Sequence, residues 1–317
     1  MGYDPKNDSV VVSHSGLWTG FAQNNVFSAC SNRELISCNW LVDGDVSKPC
    51  LSCKHTLIIP DLSKPENCER WQKLENAKRL LFYSLFKFGL PVEDTLDSSA
   101  QRLRFELKAD VLADSGKKIP TITGHDNGLI TINIEESDDG VREQHRIAMG
   151  EPYRTLIGHF RHEIAHYYWD VLIRDNGDTA QFRNIFGDER PDYGDALQRH
   201  YASGPPPQWE MRFVSAYASS HPWEDFAETW AHYFHMVDGL ETAKSYNLID
   251  LNLAGLSPDP YKESLCQNLL KSWVPLTVSM NAMNRSIGNH DFYPFVLTDE
   301  ISQKLKFIHL LIHKLSA

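Results

Sequence analysis

The sequence predicts an α+β protein in two parts, a small β-rich domain over residues 1–62 and a larger domain of helices and strands over residues 63–317. Three observations predict it. Residues 1–62 lack helical periodicity and hold Cys30, Cys38, Cys50 and Cys53. Beyond Ser63, apolar residues at helical spacing alternate with shorter stretches in which they recur at every second position. A chain of 317 residues also has the length of about two domains.

The elements follow in order. Ser63-Lys64-Pro65-Glu66 reads as a capping box, with Ser63 as N-cap and Glu66 three residues on. Trp71, Leu74, Leu81, Leu85 and Phe88 keep helical spacing behind it, until Gly89-Leu90-Pro91 ends the run. Leu103, Phe105 and Leu107 alternate as in a strand. Thr121-Ile122-Thr123 and Leu129 to Ile134 flank Asp126-Asn127-Gly128, where Asn-Gly suits a tight hairpin. A polar turn over Glu135 to Gly140 leads to a long helix from about Tyr153 to Arg174. Residues 175–208 are rich in Gly, Pro and Asp and read as a loop, broken most sharply at Gly204-Pro205-Pro206-Pro207. A further helix follows Pro222, a residue suited to the first helical position. The chain ends on a helix from about Asp299, with Ile301, Leu305, Ile308 and Ile312 as one apolar stripe.

Composition excludes several classes. At 42% hydrophobic residues the chain is not wholly disordered. Its 31 Lys and Arg against 42 Asp and Glu give a formal charge of −11, which argues against a broad grip on nucleic acid. No run of about 18 apolar residues suggests a membrane span, and the N-terminus has no positively charged segment leading into an apolar one. Six cysteines are too few for a disulfide scaffold. Five lie before residue 70, which predicts a local site in a reducing, cytoplasmic setting.

The sharpest chemical signal is His162-Glu163-Ile164-Ala165-His166. Histidines four apart leave the same face of a helix and can bind one metal ion. Ile157, Phe160, Ile164, Tyr168 and Val171 form an apolar stripe, with His159, His162, His166 and Asp170 on roughly the opposite side. Glu163 can then reach a metal-bound water without itself ligating the metal. Catalytic zinc usually takes three protein ligands and leaves one position for water. A third histidine further along this helix is absent, since Trp169 and Leu172 stand where the metzincin extension would have its Gly and His. Glu224 and Glu228, four apart at the start of a later helix, supply the alternative: one to ligate, the other to orient a ligating histidine. In the N-terminal part, Cys50-Leu51-Ser52-Cys53 is a Cys-x-x-Cys knuckle, and Cys30 and Cys38 form a wider pair. Four thiolates would close a structural zinc site. A redox role for Cys50 and Cys53 is the rival, although no thioredoxin-like βαβ pattern surrounds them. Cys68 and Cys266 read as buried thiols.

These residues carry a resemblance. The His162-Glu163-x-x-His166 helix followed by Glu224-x-x-x-Glu228 looks like the gluzincin arrangement of zinc-dependent metallopeptidases. More narrowly, the chain resembles a bacterial family of zinc-binding metallopeptidases with an N-terminal zinc ribbon. The matching stretches are Gly158 to Glu163, Phe186-Gly187-Asp188-Glu189-Arg190, Ser215-Ala216-Tyr217-Ala218 into His221-Pro222-Trp223-Glu224-Asp225, and Asn284-Arg285-Ser286 through Tyr293-Pro294-Phe295. The resemblance implies a zincin-like domain with His162, His166 and Glu224 as ligands of a catalytic zinc. It implies Glu163 as general base and Tyr217 as donor to the oxyanion, with Glu228 and Asp170 behind the ligands. His232 or His235 could replace Glu224, and His159 could face the cleft. Cys30, Cys38, Cys50 and Cys53 would hold a second, structural zinc in the ribbon. A further pair of knuckles often precedes this ribbon in the family, so the resemblance implies that part of the ribbon region is missing here. The implied substrate is a peptide or protein, with a protein partner docked through the ribbon as a further expectation. The rival function is a zinc-stabilised protein-interaction module whose peptidase-like site is inactive.

Overall fold

The computed structural model describes all residues except 15–16, 20–25, 45, 93–102, 113–116, 150–153, 176, 178, 249–254 and 316–317. The chain divides into two compact units: Met1–Phe86 with Pro91–Gln144, and Lys87–Leu90 with His145–Ala317. Helices and strands mix as the sequence predicts.

The first unit opens with strands β1 (Gly2–Asp4) and β2 (Ser9–Val11), paired antiparallel. An antiparallel meander follows, built from β3 (Ser13–His14), β4 (Leu17–Thr19), β5 (Val26–Ala29) and β6 (Leu41–Asp43), in that order. Helix α1 (Arg33–Ile36) interrupts it between β5 and β6. Val11, Phe27 and Leu41, with Trp18 against them, form one small buried cluster of this region. A core that size needs a further clamp.

Strand β7 (Thr56–Ile58) leaves the meander and runs parallel to β8 (Arg104–Lys108). Parallel neighbours need a crossover, and it contains helix α2 (Pro65–Lys87). The helix begins at Pro65, so Ser63 lies ahead of its cap: the Ser63 amide instead donates to Asp61 Oδ1 (3.0 Å), and proline takes the first helical position. Trp71, Leu74, Leu81 and Leu85 are buried as their spacing predicts, and Gly89, at φ +67°, turns the chain out of the helix. Strands β9 (Val111–Leu112) and β10 (Lys118–Ile119) form a small hairpin, ahead of β11 (Gly124–Asp126) and β12 (Leu129–Asn133). The resulting mixed sheet has the order β11-β12-β8-β7. Ile130 stands opposite Phe105 and Ile132 opposite Leu107, all four buried. The Asn127-Gly128 turn has positive φ at both residues (47° and 87°), the two-residue geometry that matches strand twist. The first strand of this hairpin starts at Gly124 rather than Thr121. Thr121 is held outside the ladder by hydrogen bonds to Asp110 Oδ1 and the Ala109 carbonyl, both 2.8 Å. Helix α3 (Asp139–Met149) leads into the second unit.

Helix α4 (Leu156–Trp169) starts behind Thr155, whose hydroxyl accepts from the Gly158 amide (3.1 Å). The expected start at Tyr153 lies outside the described residues. The helix continues as a π-type turn over Asp170–Arg174. Much of the predicted loop is helical: α5 (Thr179–Phe186) and α6 (Tyr193–Ser203). Stacked Phe182 and Phe186 (5.2 Å), buried one turn apart, anchor α5. Asp192 caps α6 by accepting from the Asp195 amide (2.8 Å), and Gly204, at φ +73°, ends it. The Gly, Pro and Asp residues therefore mark helix ends, not the absence of helices.

Helix α7 (Pro222–Ser245) has His221 as N-cap, its ring accepting from the Trp223 amide (3.1 Å). Phe226, Trp230, Tyr233 and Phe234 are wholly buried, which marks α7 as the central helix of its unit. Tyr168 of α4 stacks on Trp230 of α7 at 5.3 Å, fixing the two helices that carry the histidines and glutamates. Helices α8 (Cys266–Ser286) and α9 (Asp299–His313) follow. Ile301, Leu305, Ile308 and Ile312 are all buried, and Lys304 on the same helix forms a buried ion pair with Asp225 (2.7 Å).

Candidate metal centres

In the first unit, Cys30 follows β5, Cys38 lies between α1 and β6, and Cys50 and Cys53 flank a tight turn. All four are buried, free of disulfides, and offer sulfurs within 4.8 Å of one another. Cys38 and Cys50 sulfurs are 3.7 Å apart, Cys38 and Cys53 sulfurs 3.9 Å. Tetrahedral sulfurs each about 2.3 Å from one zinc ion would be about 3.8 Å apart. Backbone amides support the cluster: Cys50 N–H donates to Cys30 Sγ (3.3 Å) and Cys53 N–H to Cys50 Sγ (3.5 Å). Hydrogen bonds from Cys38, Cys50 and Cys53 pull the Cys30 thiol far below its usual range, while Cys38 and Cys50 rise, chiefly through Cys30. Four thiolates this close need a cation, which is how metal binding couples to deprotonation. The donor set suits zinc and accounts for the clamp that the small core of the meander requires.

In the second unit, His162 and His166 project from α4 and Glu224 from the first turn of α7. Their ligand atoms also lie within 4.8 Å of one another. His162 Nε2 is 3.0 Å from Glu224 Oε2, and His166 Nε2 is 3.5 Å from Glu224 Oε1. Donor atoms of a tetrahedral zinc bound through nitrogen and oxygen would stand about 3.4 Å apart. Glu224 is fully buried, and its Oε2 has no hydrogen bond beyond the approach of His162 Nε2. A buried ionised oxygen left so is costly without a cation. Two imidazoles and a carboxylate therefore fit zinc in chemistry and spacing.

The surrounding groups orient these donors. His162 Nδ1 donates to Glu228 Oε1 (2.7 Å), and Glu228 Oε2 accepts from the Ser215 hydroxyl (2.6 Å). The Ser215 oxygen in turn accepts from the Ala218 amide (3.1 Å). Trp223 packs on the His166 ring at 4.1 Å. Burial opposes a charge on His162, but Glu224 and Glu228 outweigh it and hold its pKa well above the usual value. Burial would raise Glu224 and Glu228, yet the histidines beside them bring both down to about 2. Glu163 is the exception. Desolvation, opposed by His162 and assisted by Glu224, raises it to about 7, in the range useful to a general base.

Residues 67–311 match the family model described as "Putative zinc-binding metallo-peptidase", and residues 1–64 match a zinc-ribbon domain. The chain belongs to this metallopeptidase family. Uncharacterised proteins of Mycobacterium bovis and of Mycobacterium tuberculosis H37Rv are each 40% identical to it over 289 residues, covering 90% of this chain and 83% of theirs. No solved structure matches it.

In this chain the expected site residues divide into two groups. His162, His166, Glu224 and Glu228 converge, Glu163 senses the charges of His162 and Glu224, and the Tyr217 ring lies 5.9 Å from that of His162. Asp170 is buried beyond α4 and pairs with Arg174 (2.8 Å). His235 contacts Arg161, and His232 bonds the Tyr293 hydroxyl (2.7 Å). Burial lowers both histidines, His232 to about 4. Sequence reasoning missed two members. Ser215 stood in a matching stretch without a role, and its bond to Glu228 spans a turn that spacing rules do not cover. Tyr193 sits in the segment read as loop, yet its hydroxyl donates to Glu224 Oε1 (2.8 Å). Among the described residues no helix is long and apolar enough to cross a membrane.

Proposed function

We propose that this metallopeptidase hydrolyses peptide bonds at a catalytic zinc held by His162, His166 and Glu224, with a structural zinc held by Cys30, Cys38, Cys50 and Cys53. The observation that supports it is the convergence of two imidazoles and a buried carboxylate next to Glu163. Bound zinc supplies a Lewis acid that lowers the pKa of its water from about 15.7 towards roughly 7. Glu163 takes the proton of the attacking water and passes it to the leaving amine. Tyr217 donates to the carbonyl oxygen as charge develops there. Glu228, clamped by Ser215, accepts the Nδ1 proton of His162 and thereby presents Nε2 to the metal. Six cysteines with no disulfide among them suit a reducing compartment such as the cytoplasm.

Metal quantification combined with proteome-wide cleavage profiling tests the reading. The wild type should carry two zinc ions per chain and cleave peptides in a chelator-sensitive way. Glu163→Gln should keep both ions and lose on the order of 10²–10⁴ in rate. Undiminished turnover in Glu163→Gln, or no cleavage by the fully loaded wild type, would overturn it.

A further inference from the structure

Tyr193 sits at the first position of α6 and reaches across to α7. Its hydroxyl donates to Glu224 Oε1 at 2.8 Å, while Glu224 Oε2 faces the ligand nitrogen His162 Nε2 at 3.0 Å. The two oxygens of one carboxylate are thus chemically unequal: Oε1 gives up charge density to a phenol, and Oε2 keeps its full donor strength.

The phenol is held in place. The Tyr193 ring packs edge-on against His221 (5.4 Å) and Trp223 (5.7 Å), the residues on either side of Pro222 at the start of α7. His221 ties the segments together, its Nε2 donating to the Pro191 carbonyl (3.3 Å) and its Nδ1 accepting from the Trp223 amide (3.1 Å).

We propose that Tyr193 is a positioning residue that occupies Glu224 Oε1 and leaves Oε2 as the only ligating oxygen. This rests on His162, His166 and Glu224 being the ligand set. One-oxygen ligation keeps the centre at three protein donors and leaves a position for water, the arrangement of catalytic rather than closed sites. Without the phenol the oxygens become equivalent and the carboxylate chelates through both, so that an ion keeping its water would be five-coordinate.

Cobalt(II) reports the difference, because the visible d–d absorption of a four-coordinate ion is several-fold stronger than that of a five-coordinate one. Full-length wild type and Tyr193→Phe are loaded with cobalt. From each spectrum is subtracted that of the same protein carrying His162→Ala, which retains only the cysteine cluster. The wild-type difference band is expected to be strong. In Tyr193→Phe it is expected to fall several-fold and shift to the five-coordinate position. Tyr193 is 37% exposed, so loss of one oxygen there leaves the fold intact, and an unchanged thiolate-to-cobalt absorption verifies this. A Tyr193→Phe band identical to wild type overturns the proposal. If turnover falls with that identical band, Tyr193 donates to substrate instead, and the proposal is equally overturned. A wild type with no His162-dependent band refutes the ligand set itself, a separate failure.

Discussion

Replacing Lys304 by methionine should cost about 3–5 kcal/mol of folding stability, the usual penalty for removing one partner of a buried ion pair. Lys304 is 3% exposed and Asp225 1%, with nitrogen and oxygen 2.7 Å apart. The ammonium also donates to the Arg212 carbonyl (2.5 Å) and lies 4.3 Å from the centre of the Phe213 ring. Asp225 has little else to offset its charge, since its Oδ1 has no hydrogen-bond partner. Burial already pushes its carboxyl up to about 7 against the pull of Lys304, so the measurement belongs at pH 8, where the wild-type carboxylate stays ionised. Urea titration in saturating zinc, followed by tryptophan fluorescence, reads the loss as a lower midpoint at unchanged slope. The double variant Lys304→Met with Asp225→Leu removes both charges and should recover most of that stability. A single-variant loss under about 1 kcal/mol, or a double variant no more stable than the single one, would refute the reasoning.

Other perturbations separate the centres. Glu228→Gln and Ser215→Ala should each weaken zinc at the histidine site by about 10–100-fold, read by competition with a chromogenic chelator, because both act through the orientation of His162. Cys38→Ser should remove one zinc per chain and make the N-terminal meander sensitive to protease, while the histidine-bound ion stays. His232→Asn should flatten the acid side of the stability profile. His232 is buried with its pKa lowered to about 4, so the unfolded chain takes up a proton that the folded one refuses. Its contribution is complete above the unfolded value of 6.5 and lost as pH falls towards 4, about 3 kcal/mol in all, which melting temperature against pH will show.

Long elements with strong local signals were legible. The α4 stripe, Pro222 at the head of α7, the stripe of α9 and the Asn127-Gly128 turn each rest on residues close in sequence. What stayed hidden depends on distant partners. Strand β7 joins β8 by a parallel pairing that spans the whole of α2, and no short pattern announces such a partner. Helices α5 and α6 were masked by the breakers that delimit them. In the site, helical spacing explains why His162 and His166 share a face, and Glu224 and Glu228 another. Tyr193 has no spacing relation to Glu224, from which it is separated by 31 residues, so only the folded chain reveals their bond.

The strand swapped across the start of α2 has a practical corollary. Cutting the chain near residue 62 would detach β7 and bare the side of β8 that it covers, leaving unpaired amides and carbonyls beside Phe105 and Leu107. Raw sheet margins of that kind recruit other chains. Trimming back to the peptidase homology alone should therefore yield an aggregating product, and an expression boundary placed upstream of Thr56 a better-behaved one.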